Sequence, residues 1–169
     1  MAISERLEIA KQNIVSAREY TLTLLDGLDD EQWFWTPELS VSHIAWQVGH
    51  LAMAQYGLTL FRQRGRSDID GSLIPNRFRK RVMKGTRPES DPEQYLPPGE
   101  ILQVLHRVHE QMLLEIDQFD GPGLDEPLDQ PYSGFATRYG SLLFAANHEM
   151  LHAGQIGLLR RLMGMPPIR

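Results

Sequence analysis

Apolar residues in this chain recur at alternating steps of three and four through four separate stretches, and no run alternates apolar and polar over the length of a strand. That spacing is the period of an amphipathic helix, so the fold must let four long helices bury their apolar faces against one another. The first stretch predicts a helix over 4–28, carrying Ile3, Leu7, Ala10, Ile14, Ala17, Thr21, Leu24 and Leu28 on one seam. Ser4 is its candidate N-cap, and Glu5 suits the positive end of the helix. A connector over 31–39 ends in Trp35-Thr36-Pro37, and a second helix starts near Ser40 or Ser42 and stops at Gly65. It carries two stripes, one through Val41, Ile44, Val48, Leu51, Gln55 and Leu58, the other through Trp46, His50, Met53 and Gly57. A helix with two inward stripes touches more than one neighbour. The third helix is predicted over 98–119, with Pro98 at its start and Gly121-Pro122-Gly123 beyond its end. The fourth is predicted over 140–163, with Ser141 as candidate cap and Gly164, Pro166 and Pro167 as its stop.

The connections predict the topology. A short link makes the first two helices antiparallel neighbours. The 65–98 link, rich in Gly, Pro and charge and with short helical turns expected near 73–83, is long enough to return along the molecule. The second and third helices can then run parallel, giving an all-α up-down-down-up four-helix bundle in a single domain over 1–169. A second Pro/Gly-bearing loop covers 120–139.

Composition removes several function classes. The chain has 17 Lys and Arg against 22 Asp and Glu, a net charge of −5, so it lacks the basic stripe that binds nucleic acid. The run Arg77, Arg79, Lys80 and Arg81 reads as a solvated loop. With no cysteine there is no disulfide, thiolate metal site or cysteine nucleophile. No apolar stretch approaches the ~20 residues that span a bilayer. The N-terminus shows no secretory pattern, and the expected location is the cytoplasm.

Chemistry concentrates in the histidines. His148 and His152 stand four apart on the last helix, so both imidazoles project from one face toward one metal ion. The string His148-Glu-Met-Leu-His152 also spells the zinc-protease pattern, with Glu149 as general base. That reading fails for want of a third ligand, because after Glu149 the chain holds no Asp, no Glu and no histidine except His152. The third ligand therefore lies upstream, and His50 is the best candidate, mid-helix beside a Gly49 that permits close approach. His43, two turns or ~10 Å away, is too far to share the ion and reads as a cap or mouth residue. His106 and His109 read as partly exposed polar positions. The stripe His148, His152, Gln155, Leu159 continues an inward face set by Leu142 and Ala145. Imidazoles aimed inward need polar partners or a metal, since burial unpaired costs ~1–3 kcal/mol each.

These residues resemble the DinB-like (DinB/YfiT) superfamily. The resemblance rests on Ile44-Ala-Trp-Gln-Val-Gly-His50-Leu-Ala, on His148-Glu-Met-Leu-His152-Ala-Gly-Gln155-Ile, and on the ending Leu159-Arg-Arg-Leu-Met-Gly164-Met-Pro-Pro. It implies a four-helix bundle, frequently a homodimer, with a divalent metal, commonly zinc or nickel, on His50, His148 and His152. Some members transfer low-molecular-weight thiols such as bacillithiol or mycothiol; others form the first domain of ergothioneine sulfoxide synthases. The synthase ligand pattern ends H-x-E, whereas Gly154 stands two residues past His152 here, so that activity is not expected. The family position after the first of the two helix-four histidines is often Asp and here is Glu149.

The expected function is therefore that of a divalent-metal-dependent enzyme acting on a small molecule, a thiol-conjugating transferase or a related hydrolase. Gln155 would orient a ligand, and Glu149 would act on bound water or serve helix packing. The alternatives are a metal-binding bundle without turnover, structural or regulatory, and a bundle whose histidines only hydrogen-bond. Arg77, Arg79 and Arg138 could meet an anionic substrate, and Trp33, Trp35, Trp46, Tyr56, Phe61 and Tyr139 could line a pocket, with surface and core roles favoured. Loops 65–98 and 120–139 are expected to border the site mouth.

Overall fold

The structure, a computed structural model, describes residues 2–37, 42–89, 91–119, 121–132 and 134–168. It is mostly helical. In chain order the elements are α1 (Ile3–Leu25), α2 (Asp30–Phe34), α3 (Ile44–Gln55), a π-helical turn (Tyr56–Phe61) that leads into α4 (Arg62–Arg64), α5 (Asp70–Leu73), α6 (Asn76–Val82) and α7 (Pro98–Glu115). A hairpin, β1 (Pro127–Tyr132) and β2 (Phe135–Thr137), then leads into α8 (Arg138–Leu162).

The periodic seams are the core. Leu7, Ala10, Ile14, Ala17, Thr21 and Leu24 of α1 are buried, as are Ile44, Val48, Leu51 and Gln55 of α3 and Ile101, Leu105, Val108 and Met112 of α7. Each fully buried aliphatic side chain stabilises the fold by ~1.5–3 kcal/mol before entropy is charged against it. The helix ends differ from expectation where capping chemistry lies elsewhere. Ser4 sits inside the first turn of α1, and it is the Glu5 carboxylate that reaches back to the Ala2 N–H, 2.9 Å away. Thr137, not Ser141, caps α8, accepting the Gly140 N–H at 3.0 Å. Ser141 is buried with its hydroxyl donating toward the Leu58 carbonyl at 2.9 Å. At α3 the cap is His43, whose Nδ1 accepts the Trp46 N–H at 3.0 Å while its Nε2 donates to the Glu89 carbonyl. Ser40 lies outside the described residues.

Cross-helix contacts give the relative directions of the long helices. Arg6 lies over the Tyr139 ring, Arg18 binds Glu149, and Arg160 donates to the Leu24 carbonyl, so α1 and α8 run side by side with numbers rising together. Between α3 and α8 the order reverses, Gln47 meeting His152 and Leu58 meeting Ser141. Gln55 with His109 and Arg64 with Glu115 put α3 and α7 in the same direction. The expected adjacency of α1 and α3 is not what packs them: α1 lies chiefly on α8, α3 lies on α7 and α8, and α1 meets α3 through Arg18 and Gln55. The link between them is no tight turn. It folds α2, capped by Asp29 and holding a buried Trp33, which lets the chain skip the adjacent position.

The 120–139 segment is also more ordered than a loop, since it folds the β1–β2 hairpin with Gly134 at a φ of 88° in its turn. Its strand signal was hidden by Pro127 and Pro131, which cannot donate to a ladder and break apolar alternation. Among the described residues no helix is long and apolar enough to cross a membrane.

Candidate metal centre

Gly49 is where the site begins. A Cβ there would lie 2.7 Å from the Val82 side chain and 3.3 Å from Phe78, so only glycine lets α6 press this closely onto α3. The close approach delivers the Val82 carbonyl to the next residue, where it accepts from His50 Nδ1 at 2.8 Å. A ring whose Nδ1 carries the hydrogen leaves the Nε2 lone pair free. Trp46, one turn earlier, stacks on the His50 ring with centroids 4.8 Å apart and planes 4° from parallel, and its indole N–H donates to Thr86 at 3.0 Å. Carbonyl and indole together hold the imidazole in one orientation.

The other two histidines come from α8, whose i, i+4 spacing places the His148 and His152 rings 4.6 Å apart. The antiparallel packing of α3 and α8 brings His50 to within 5.3 Å of the first ring and 5.1 Å of the second. Taking one ring nitrogen from each, all three lie within 4.8 Å of one another. His152 Nδ1 donates to the Gln47 side-chain carbonyl, and the Gln47 amide donates in turn to Ser42. Such outer partners fix tautomer and orientation in metal-binding histidines. Among the described residues His148 has ring contacts with Phe144 and the two other histidines, and no hydrogen bond.

Burial sets the protonation. It lowers His50 below the ordinary histidine range against the opposing pull of the Val82 carbonyl. It drives His148 to about 4, with the nearby His50 adding to the effect, and His152 to about 3, with both other rings adding. Three neutral imidazoles thus face one another at neutral pH; His50 and His152, whose Nδ1–H groups are engaged behind them, keep Nε2 lone pairs that a divalent cation could take up together with a nitrogen of His148. The donor set fits such an ion.

Glu149 is placed elsewhere. It is 3% exposed, and its carboxylate takes Arg18 Nε at 2.6 Å and Nη2 at 3.1 Å. The same guanidinium donates to Gln55 at 2.8 Å and to the Leu105 carbonyl at 3.1 Å, and the Gln55 amide donates to His109 at 3.0 Å. Residues of α1, α3, α7 and α8 thus meet in one polar cluster, and Glu149 belongs to that cluster rather than to the histidines. Gln155 faces solvent. The inward stripe of α8 runs Leu142, Ala145, Glu149, His152, Ile156, Leu159, so the expected continuation through Gln155 is off by one residue, about 100° on the helix wheel. The amide that holds His152 is Gln47, three residues before His50 on the same side of α3, a signal present in the sequence. The Val82 carbonyl had none, since any residue supplies a carbonyl.

A cavity of about 520 Å³ opens against His50 and His148, walled by α3, its π-helical turn, Phe144, Met83 and Lys84. The 65–98 segment thus borders the site through Val82, Met83 and Lys84. The hairpin reaches it indirectly, Phe135 packing on Phe144 at 5.2 Å and the Gln130 carbonyl accepting from Arg62 at 3.0 Å.

No curated protein matches the chain. A family model described as DinB superfamily matches residues 13–156, from within α1 to just past His152, so that all three histidines fall inside it. The chain belongs to the DinB superfamily.

Proposed function

We propose that this protein is a divalent-metal-dependent enzyme whose ion is held by His50, His148 and His152, and that it acts on a small molecule as a thiol-conjugating transferase or a related hydrolase. The observation that carries this reading is the convergence of three neutral ring nitrogens within 4.8 Å beside an accessible cavity. Zinc or nickel suits an all-imidazole site. A cation held there would supply Lewis acidity and lower the pKa of a thiol or water drawn to it. The chain's own residues do the rest: the Val82 carbonyl and Gln47 orient the rings, Trp46 braces His50, and the cavity admits substrate from the His148 side. Glu149 and Gln155 take no part in this chemistry, the first being committed to Arg18 and the second facing solvent. The helix pairings support an up-down-down-up four-helix bundle as the frame. The cavity favours turnover over a purely structural metal, which would be enclosed on all sides.

Protein prepared without contact with an immobilised-metal column should carry one divalent ion per chain by elemental analysis, and His50→Ala, His148→Ala and His152→Ala should each lose it. The loaded protein should consume bacillithiol, mycothiol, glutathione or coenzyme A against an electrophile in a metal-dependent way. Absence of stoichiometric metal, with His50→Ala and His152→Ala unchanged in stability, overturns the metal site. Stoichiometric metal with no turnover of any thiol or ester leaves the non-catalytic bundle.

A further inference from the structure

Resting on the three-histidine reading, we propose that the cavity holds the apolar tail of a small-molecule ligand whose polar head lies at His50 and His148. The volume of about 520 Å³ is that of a ligand site rather than a packing defect. Its floor is a single helical stripe, because His50, Ala54, Gly57 and Phe61 follow one another at steps of four, three and four. The stripe that presents the ring to the site therefore also presents the tail's wall. The π-helical turn begins at Tyr56, within this stripe, and π-bulges in long helices recur at functional sites.

The wall is apolar where a packed protein would cover it. Phe61 and Met83, two large hydrophobic side chains on the wall, are each 44% exposed. Leaving such surface open forfeits about 25 cal/mol for every Å² that a ligand could cover. Polar groups are confined to the histidine end and to two cations, Arg62 and Lys84. The ligand class is thus a molecule with an aliphatic or aromatic body and a metal-seeking head such as a thiol, carboxylate or hydroxamate. Gly57 marks the space directly, since a Cβ built there meets nothing within 4 Å.

The test uses the full chain loaded with cobalt(II), whose visible spectrum reports head-group binding independently of activity. Acetohydroxamate, butyrohydroxamate and hexanohydroxamate are titrated in turn. Each added methylene that enters the cavity should tighten binding about fourfold. Gly57→Leu, which fills open space with a better helix former, should abolish the gain for the longer probes and leave acetohydroxamate within about twofold of wild type. A cobalt protein that binds the three probes equally overturns the ligand assignment and leaves the metal site standing. So does a Gly57→Leu protein that keeps the full chain-length gain. A Gly57→Leu change in sedimentation, with hydroxamate affinities unmoved, assigns the apolar wall to a second copy of the chain and also overturns the proposal. A protein that takes up no cobalt overturns the metal reading itself, a failure seen before any hydroxamate is added.

Discussion

His148 and Glu149 are consecutive on α8, yet they enter two polar clusters built on opposite principles. Around Glu149 every strong donor meets an acceptor: Arg18 spreads its guanidinium over the carboxylate, Gln55 and the Leu105 carbonyl, and Gln55 passes its amide on to His109. Charge there is paired and closed off from water. Around His148 three rings bring a nitrogen each within 4.8 Å, two of them locked from behind by carbonyl acceptors that leave their Nε2 lone pairs free, with a cavity alongside. A step of about 100° around one helix separates a cluster complete in itself from one with acceptors to spare for an ion. Burial does not distinguish them; the balance of donors and acceptors does.

The largest effect expected from this contrast is on stability. Removing one member of a buried pair strands the other charge, at a cost of about 3–5 kcal/mol. Glu149→Ala should lose that much in urea unfolding, while a folded fraction retains the wild-type metal stoichiometry. Replacing Arg18 and Glu149 together by methionine should recover most of the loss, because no uncompensated charge remains. A Glu149→Ala protein of near wild-type stability that has lost its metal would reverse the assignment and return Glu149 to the histidine site.

This division was only partly legible in the sequence. The helical period found the four long helices, and the i, i+4 spacing with the missing downstream acid pointed to His50 as the partner of His148 and His152. What the period could not resolve was which of His148 and Glu149 takes the central inward position, since both lie within a broad inward arc and both are polar. The identity of Glu149's partner depends on Arg18, 131 residues away, and no local rule pairs them. His109 is the partly exposed polar position expected of it, but nothing local showed that it also ends the Arg18–Gln55 relay. The hairpin was masked by its prolines, and the approach of α6 was foreshadowed by Gly49 without naming what would approach. Residues whose role follows from their own side chain were readable; those defined by a distant partner were not.

A smaller effect separates the clusters from the metal side. Loss of an outer hydrogen bond to a ligating histidine typically weakens metal binding 10–100-fold. Gln47→Leu should do so, as measured by competition with a chelator, because His152 loses the carbonyl that holds its Nδ1–H. Gln155→Ala should leave affinity within about twofold, and so should Gln55→Leu, which disturbs only the closed cluster. Equal losses from Gln47→Leu and Gln55→Leu would mean that the two clusters form one site.

Acid gives the finest discrimination. Below the ordinary histidine value of 6.5 the unfolded chain takes up protons that the folded rings refuse, down to about 4 at His148 and His109 and about 3 at His152. The folded values are depressed, so the unfolded state binds more protons in this window and stability falls as pH falls. Each such ring contributes a slope of up to about 1.4 kcal/mol per pH unit. The causes differ, however. His109 is held down by burial, then by Arg18 and His106, all outside the histidine triad. His109→Gln should therefore flatten the acid slope of metal-free and metal-loaded protein alike, without altering the stability gap between them. That gap should itself persist as the pH falls through 6.5, because burial holds His50, His148 and His152 below the ordinary histidine value and they do not compete for protons until the pH nears their folded values. It should close only below that point, as protons displace the ion. A gap that began to close at 6.5 would show solvated rings of ordinary basicity, and the contrast between a closed cluster and a desolvated, ion-ready one would be lost.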